Sequence, residues 1–314
     1  MSPSDLTIRV DSPTESRNPR TAAIDIVPTI GVLELLNDED TQVAPAVRAA
    51  LPALAEAVDA AVERFEAGGT VHYFGAGTSG RIATLDAAEL PPTFSVDPSR
   101  MVAHHAGGEA AMGQSVEGVE DDPESGRRAA ADVRAGDIAV GVAASGRTPY
   151  VLGALEASSA AGAFTVFVSS APGGSIADLA DVHVFVDTGP EAVAGSTRLK
   201  AGTAQKMVLN GFSTALMIRL GKTYSNWMVD VTPSNSKLRG RVLGILEEAT
   251  GASEAESGAA LEAADGDLKT ALLSLLTGCD AATARAALDA ADGRIRVAID
   301  ALGEVAPTTG VPPE

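Results

Sequence analysis

Cysteine is almost missing from this chain. A single residue, Cys279, excludes an intramolecular disulfide and leaves no thiolate cluster for a metal. Histidine is scarce as well. His72, His104, His105 and His183 stand in no HExxH-type spacing, and adjacent His104 and His105 would face opposite sides of a strand, so no metal site is expected. Aromatic residues make up only 4%. No run approaches the ~18 consecutive apolar residues of a membrane span. The polar stretch Met1 to Arg17 lacks the apolar core of a secretory signal. Basic residues are outnumbered: 23 Lys and Arg face 42 Asp and Glu, a net charge of −19. Such a field repels phosphate backbones, which argues against a nucleic-acid partner. These absences predict a cytoplasmic protein with no nucleic-acid and no membrane partner. A small anionic substrate would need a local pocket of donors.

What the chain has in quantity is small residues, Ala above all and 32 Gly among 314 residues. Hydrophobic residues at 45% and charged residues at 21% are globular proportions, and the length suggests about two domains. Residues 1 to about 20, rich in Ser, Pro, Thr and Arg, read as an arm or a disordered tail. Ile26, Ile30, Leu33 and Leu36 recur at helical spacing, and Val47, Leu51, Leu54, Val58 and Val62 do so again until Gly68-Gly69. Then the period shortens. Val71 to Phe74 reads as a strand, Arg81 to Leu90 as a helix stopped by Pro91-Pro92, and Thr93 to Val96 and Met101 to Ala103 as strands. Residues 109 to 135 are helical in composition. Ile138 to Ala143, Phe164 to Ser169 and His183 to Val186 read as strands, with helices at Val151 to Ala161 and Thr203 to Leu220. Alternation of this kind predicts an α/β fold with a parallel sheet covered on both faces.

The last 65 or so residues follow another rule. Leu261-Glu262-Ala263-Ala264-Asp265-Gly266 returns 27 residues later as Leu288-Asp289-Ala290-Ala291-Asp292-Gly293, each time before an apolar turn. Two helical hairpins, a small bundle like a ubiquitin-associated module, are expected. The expected organisation is an amino-terminal arm with helices at 1–60, the α/β domain at 61–226, a connector at 227–244, the helical bundle at 245–303 and a mobile tail at 304–314.

Gly75-x-Gly77-x-x-Gly80 lies between a strand and a helix and fits the dinucleotide fingerprint, with Asp97 as a candidate ribose acid. Thr78 and Ser79 place hydroxyls inside it, however. A second strand-to-helix loop, Ser145-Gly146-Arg147-Thr148, carries hydroxyls too. Two such loops on neighbouring strands would clasp one small anion between amides, hydroxyls and helix amino termini, which suits a monophosphate better than a pyrophosphate.

Four blocks of sequence resemble the N-acetylmuramic acid 6-phosphate etherase family. The first is Tyr73 to Arg81 with Leu85-Asp86-Ala87-Ala88-Glu89-Leu90-Pro91-Pro92-Thr93. The others are Ala143 to Tyr150, Gly189-Pro190-Glu191 through Gly195 to Lys206, and Asn226 to Val231. The similarity runs from about Ile24 to Leu302. Leu90 stands where the family commonly has Cys, and His104 and His105 stand where it has aliphatic residues. The resemblance implies a sugar isomerase (SIS) domain, a flavodoxin-like three-layer sandwich. It implies a homodimer with the active site near the subunit interface, and no metal or organic cofactor. The implied reaction is hydrolytic cleavage of the lactyl ether of N-acetylmuramate 6-phosphate, giving N-acetylglucosamine 6-phosphate and D-lactate in cell-wall recycling.

By motif position, Glu89 matches the family's proton donor and Glu120 its second catalytic carboxylate. Among the chain's many acids, neither stands out by spacing alone. Gly77, Thr78, Ser79, Ser145, Arg147 and Thr148 are the expected phosphate and sugar contacts. Glu191, Ser196 and Lys200, at a loop-to-helix junction, are expected to close the pocket. The competing reading is a non-catalytic sugar-phosphate sensor on the same fold, which would keep the hydroxyl loops without needing two working carboxylates. A sugar-phosphate-responsive transcription regulator would need a basic helix-turn-helix, which neither end of the chain supplies.

Overall fold

The structure is a computed structural model that describes residues 12–114, 116–231 and 236–303. They form two compact units, one within Met1–Ala88 and Pro98–Thr214, the other within Glu89–Asp97 and Ala215–Glu314.

In the first unit, helices α1 (Thr29–Asp40) and α2 (Val43–Glu66) lead into β1 (Val71–Gly75) and α3 (Gly77–Phe94), whose last turns belong to the second unit. Then come β2 (Met101–His105), the short α4 (Ala110–Gly113), α5 (Pro123–Ala129), β3 (Ile138–Val142) and α6 (Pro149–Ala160). The unit closes with β4 (Phe164–Ser169), α7 (Ser175–Leu179), β5 (Val182–Phe185) and most of α8 (Lys200–Arg219). All neighbouring strands are parallel, in the order β2-β1-β3-β4-β5. That order is the flavodoxin-like doubly wound one, with its switch point between β1 and β3. Every residue of β1 and β3 is buried, as a strand covered on both faces requires. Phe74, Val151, Leu155, Phe167 and Ile176 centre the core on one face. The expected parallel α/β sandwich is therefore present.

Helix α2 buries Val47, Leu54 and Val58 at the expected spacing, while Leu51 stays exposed. The expected stripe does not face the core: Ile26, in the turn before α1, and Ile30 and Leu33 on α1 are 79%, 63% and 57% exposed. The expected arm is ordered from residue 12 onward. Ser12, Thr14, Asn18 and Thr21 are buried, and backbone partners explain why. Thr21 Oγ1 donates to Ala192 O at 2.7 Å, Asn18 Nδ2 to Pro190 O at 3.3 Å, and Gly195 N to Thr14 O at 3.0 Å.

Pro91-Pro92 does not stop α3. The helix runs on to Phe94, so the strand expected from Thr93 does not form. Burial of Phe94 outweighs the two lost N–H donors, and the chain leaves the helix at Ser95, whose φ is 51°. The helical composition of 109–135 yields only α4 and α5, separated by a 3-10 turn at Val119–Asp121 after left-handed Gly118.

The second unit holds the hairpin β6 (Thr223–Tyr224) and β7 (Trp227–Met228), then α9 (Ser236–Thr250), α10 (Glu254–Ala263), α11 (Leu268–Thr277), α12 (Ala281–Ala290) and α13 (Ile295–Leu302). The sequence repeat is a structural repeat. Asp265 and Asp292 have φ of 55° and 50°, and the following glycines are left-handed too. Gly266 N and Gly293 N each donate back to Leu261 O and Leu288 O at 2.8 Å, closing the helices alike. Leu268, Leu272, Leu288 and Ile295 fill the shared core. Asp230, in the Asn226–Val231 block, pairs with Lys222 and, at 3.4 Å, with Lys269, so that block braces the bundle. The expected tail at 304–314 lies outside the described residues.

Candidate active site

The site is assembled by strand pairing. Gly75, the last residue of β1, is in register with Val142, the last of β3. The loops that follow, one into α3 and one into α6, therefore leave adjacent strands at the carboxyl edge, where doubly wound sheets bind ligands. The first loop is tight. A Cβ on Gly80 would sit 2.6 Å from Gly75 O, and one on Gly75 would sit 2.8 Å from Gly80 N, so both must be glycine. Gly77 opens α3 at φ 53°. Thr78 is half-buried and Ser79 buried on the first turn of that helix. Across the strand pair, Ser145 is half-buried, Gly146 is left-handed and Arg147 is exposed. Thr148 occupies the cap position of α6 without spending its hydroxyl on a cap, and Pro149 follows at the first helical position. Two helix amino termini and four hydroxyl residues thus converge on the switch point, an arrangement suited to an anion.

Histidine reinforces the first loop. His105, at the end of β2, has Nδ1 2.7 Å from Ala106 O and Nε2 3.2 Å from Gly77 O. Its neighbour His104 turns to the other face, stacked on Phe74 at 4.6 Å and 3.0 Å from His72 Nδ1, and burial lowers its pKa to about 4.

The third block joins the site through α8. A Cβ on Gly202 would be 3.4 Å from Thr78 Cγ2, so the start of α8 packs on the first glycine loop. Glu191 is buried, and its carboxylate accepts Lys200 N at 2.9 Å and Ala201 N at 3.0 Å, capping α8. Burial, the largest influence, nevertheless raises its pKa. Lys200 turns its ammonium to Glu39 at 2.6 Å, with 1% of the side chain exposed. Ser196 is half-buried in the turn before α8. Glu191 and Lys200 are thus committed to partners within the protein, Ser196 less so.

The two carboxylates expected to do the chemistry are both exposed: Glu89 on the fourth turn of α3, Glu120 in the 3-10 turn Val119–Asp121. Pro91 and Pro92 offer no N–H to the carbonyls of Ala87 and Ala88, so electronegative backbone oxygens accompany Glu89 although the helix continues. One turn before Glu89, on the inner face, Asp86 is buried and accepts from Tyr73 Oη at 2.9 Å and Ser213 Oγ at 3.0 Å. Burial pushes its pKa up to about 6. Sequence reading passed over Asp86 as a site residue. Its signal was the helical spacing with buried Ala83, Ala87 and Leu90. Among the described residues no group of three or more His, Cys, Asp or Glu is arranged for a metal ion. No single described helix is long and apolar enough to cross a membrane.

These features define an α/β protein of the doubly wound class with two hydroxyl-bearing glycine loops side by side at its switch point. A family model described as the glucokinase regulatory protein N-terminal SIS domain matches residues 53–159. The N-acetylmuramic acid 6-phosphate etherase of Thermobifida fusca is 57% identical over 267 residues, 85% of this chain and 88% of that one. That of Cutibacterium acnes is 51% identical over 84% of this chain and 87% of its own. Among solved structures, a phosphoheptose isomerase from Francisella tularensis aligns with a TM-score of 0.46 at 19% identity, over 60% of this chain and 98% of that one. That likeness is too distant to bear on function. The chain belongs to the N-acetylmuramic acid 6-phosphate etherase family.

Proposed function

We propose that this protein is a carbon–oxygen lyase that cleaves the D-lactyl ether of N-acetylmuramate 6-phosphate with water, giving N-acetylglucosamine 6-phosphate and D-lactate. The identity of 57% over 85% of the chain to an etherase carries this reading. An alkyl ether is a poor leaving group, so the route passes through the open-chain sugar. Its C1 aldehyde acidifies the C2 proton. Glu120 removes that proton, electrons move to form the C2–C3 double bond, and the C3–O bond breaks as Glu89 protonates the departing lactate oxygen. Water then adds to C3 while C2 regains a proton, with the roles reversed. No metal or organic cofactor is required by these steps. The phosphate is anchored by Gly77, Thr78, Ser79, Ser145 and Thr148, with Arg147 as a charge partner, and this fixes C2 and C3 relative to the carboxylates.

Glu191 and Lys200, with Ser196, shape the pocket wall by fixing the start of α8. The exposed stripe of Ile26, Ile30 and Leu33 suits burial against a second copy of the chain, consistent with a homodimer whose active site lies near the interface. The reaction fits peptidoglycan recycling in the cytoplasm. The family-model match to a regulatory protein's SIS domain favours a second reading, a sugar-phosphate sensor without turnover. Incubating the purified protein with N-acetylmuramate 6-phosphate and measuring lactate separates the two. Stoichiometric lactate supports the lyase, and saturable binding without lactate supports the sensor.

A further inference from the structure

Glu120 has to be held still to act on one proton, yet it lies in an exposed 3-10 turn; α5 follows almost directly, but the stretch before it has little regular structure. The chain that carries it leaves β2, turns through left-handed Gly107 and Gly108, makes the single turn α4 and reaches Glu120 after left-handed Gly118. Its far end is steadied by Val119, which packs against the core that α6 contributes to; a Cβ on Gly107 would lie 3.3 Å from a Val119 methyl, so Val119 also meets the loop beside β2. The middle is steadied by one side chain. Arg81, next to Gly80 of the phosphate loop, donates from Nε to Met112 O at 2.9 Å and from Nη2 to Ala111 O at 2.8 Å and Gln114 O at 3.1 Å. These are carbonyls at the carboxyl end of α4, which no following turn of helix satisfies.

We propose that Arg81 is a positioning residue for the etherase reaction. Its guanidinium fork ties the Glu120 segment to the second turn of α3, so that the phosphate loop and the proposed base keep one fixed separation. This rests on the etherase reading and extends it. A planar fork reaches three carbonyls that diverge in direction, whereas a lysine ammonium reaches fewer of them at once. Arg81 therefore governs the rate of proton removal rather than the grip on the phosphate.

The test compares wild type, Arg81→Lys and Arg81→Ala in four measurements. These are lactate release, deuterium exchange at C2 of N-acetylglucosamine 6-phosphate, KM, and amide hydrogen exchange across residues 106–121. Both variants are expected to lose roughly 10²-fold in kcat, the scale of a misplaced catalytic group, with C2 exchange falling in parallel and KM within about threefold. Amide exchange across 106–121 should rise. Added guanidinium should restore part of the Arg81→Ala rate, a readout that a general loss of fold would not give. Unchanged kcat in Arg81→Lys, or a raised KM with kcat kept, would overturn the proposal, the latter by making Arg81 a phosphate ligand. If Arg81→Ala fails to fold, Arg81→Lys decides. If wild type itself releases no lactate, the etherase reading has failed. The amide exchange then still decides the tether, and unchanged exchange refutes it.

Discussion

The ammonium of Lys200 lies 2.6 Å from Oε2 of Glu39, with 1% and 3% of the two side chains exposed. Arg20 closes the other side of the same carboxylate, Nη2 to Oε2 at 2.8 Å and Nε to Oε1. The Arg20 contact, helped by Lys200, lowers the Glu39 pKa to about 2 against burial that would raise it. Removing one partner strands a buried charge. Glu39→Gln strands the buried Lys200 ammonium and is expected to cost about 3–5 kcal/mol of unfolding free energy, Lys200→Met less because Arg20 still pairs with Glu39, and Glu39→Gln with Lys200→Met less than the sum. Urea unfolding checks this, and single-variant losses below about 1 kcal/mol would mean the pair is idle.

The same carboxylate sets an acid limit. Its folded pKa of about 2 lies below the ordinary 4.5, so its contribution is complete above pH 4.5 and is lost as pH falls through about 2. The stability of wild type minus that of Glu39→Gln should shrink across that window. A difference that stays constant there would remove Glu39 from the acid response.

Asp86 has the opposite sign. Burial raises it from 3.8 to about 6, so the folded state prefers the neutral acid. Stability that it contributes is full below pH 3.8 and lost as pH rises through about 6. Asp86→Asn is therefore expected to gain on wild type as pH rises across that interval and to hold a constant lead above it. Urea midpoints at half-unit pH steps measure the difference, and a lead that shrinks with rising pH would contradict the assignment.

Phosphate recognition at the paired loops predicts that Ser79→Ala and Ser145→Ala each weaken substrate binding by about 1–3 kcal/mol, the worth of a hydrogen bond to a charged group. Calorimetric titration with N-acetylglucosamine 6-phosphate reads this directly. Full affinity in both variants would move the phosphate elsewhere.

The proposed roles of the two glutamates separate in isotope experiments. Glu89→Gln should lose lactate release yet keep C2 hydrogen exchange of the product sugar in deuterated water. Glu120→Gln should lose both, each loss amounting to roughly 10²–10⁴-fold. The reverse pattern would exchange the roles. Near-normal lactate release in both variants would place the chemistry at other residues.

Strand alternation, the glycine loop and the Ala-Ala-Asp-Gly repeat were readable in the sequence because each reflects local geometry: period, tight approach, left-handed turn. Pro91-Pro92 misled, since two missing N–H donors weigh less than burying Phe94 in the same turn. Lys200 and Glu191 were expected to close the pocket because they stand at a loop-to-helix junction beside a glycine-rich turn, but the internal partners that fix them there were not legible. Their partners are Glu39, 161 residues away, and the backbone of α8, neither of which spacing can reveal. Asp86 was hidden for the same reason, with Ser213 127 residues distant. Arg81 stood in plain view within a motif, but three backbone carbonyls leave no trace in side-chain pattern.

The segment from Ser12 to Thr21 packs on backbone oxygens and amides of residues 190–195, and Asn18 and Pro190 are 172 residues apart. On a ribosome the beginning of the chain emerges first and its partner long afterwards. The strap cannot fasten until α8 has begun to leave the exit tunnel, so its buried hydroxyls wait in water while the parallel sheet forms without them. Closure of the strap thus comes late in synthesis, and nascent chains halted before Lys200 should be cut by protease between residues 12 and 21, while longer ones resist there.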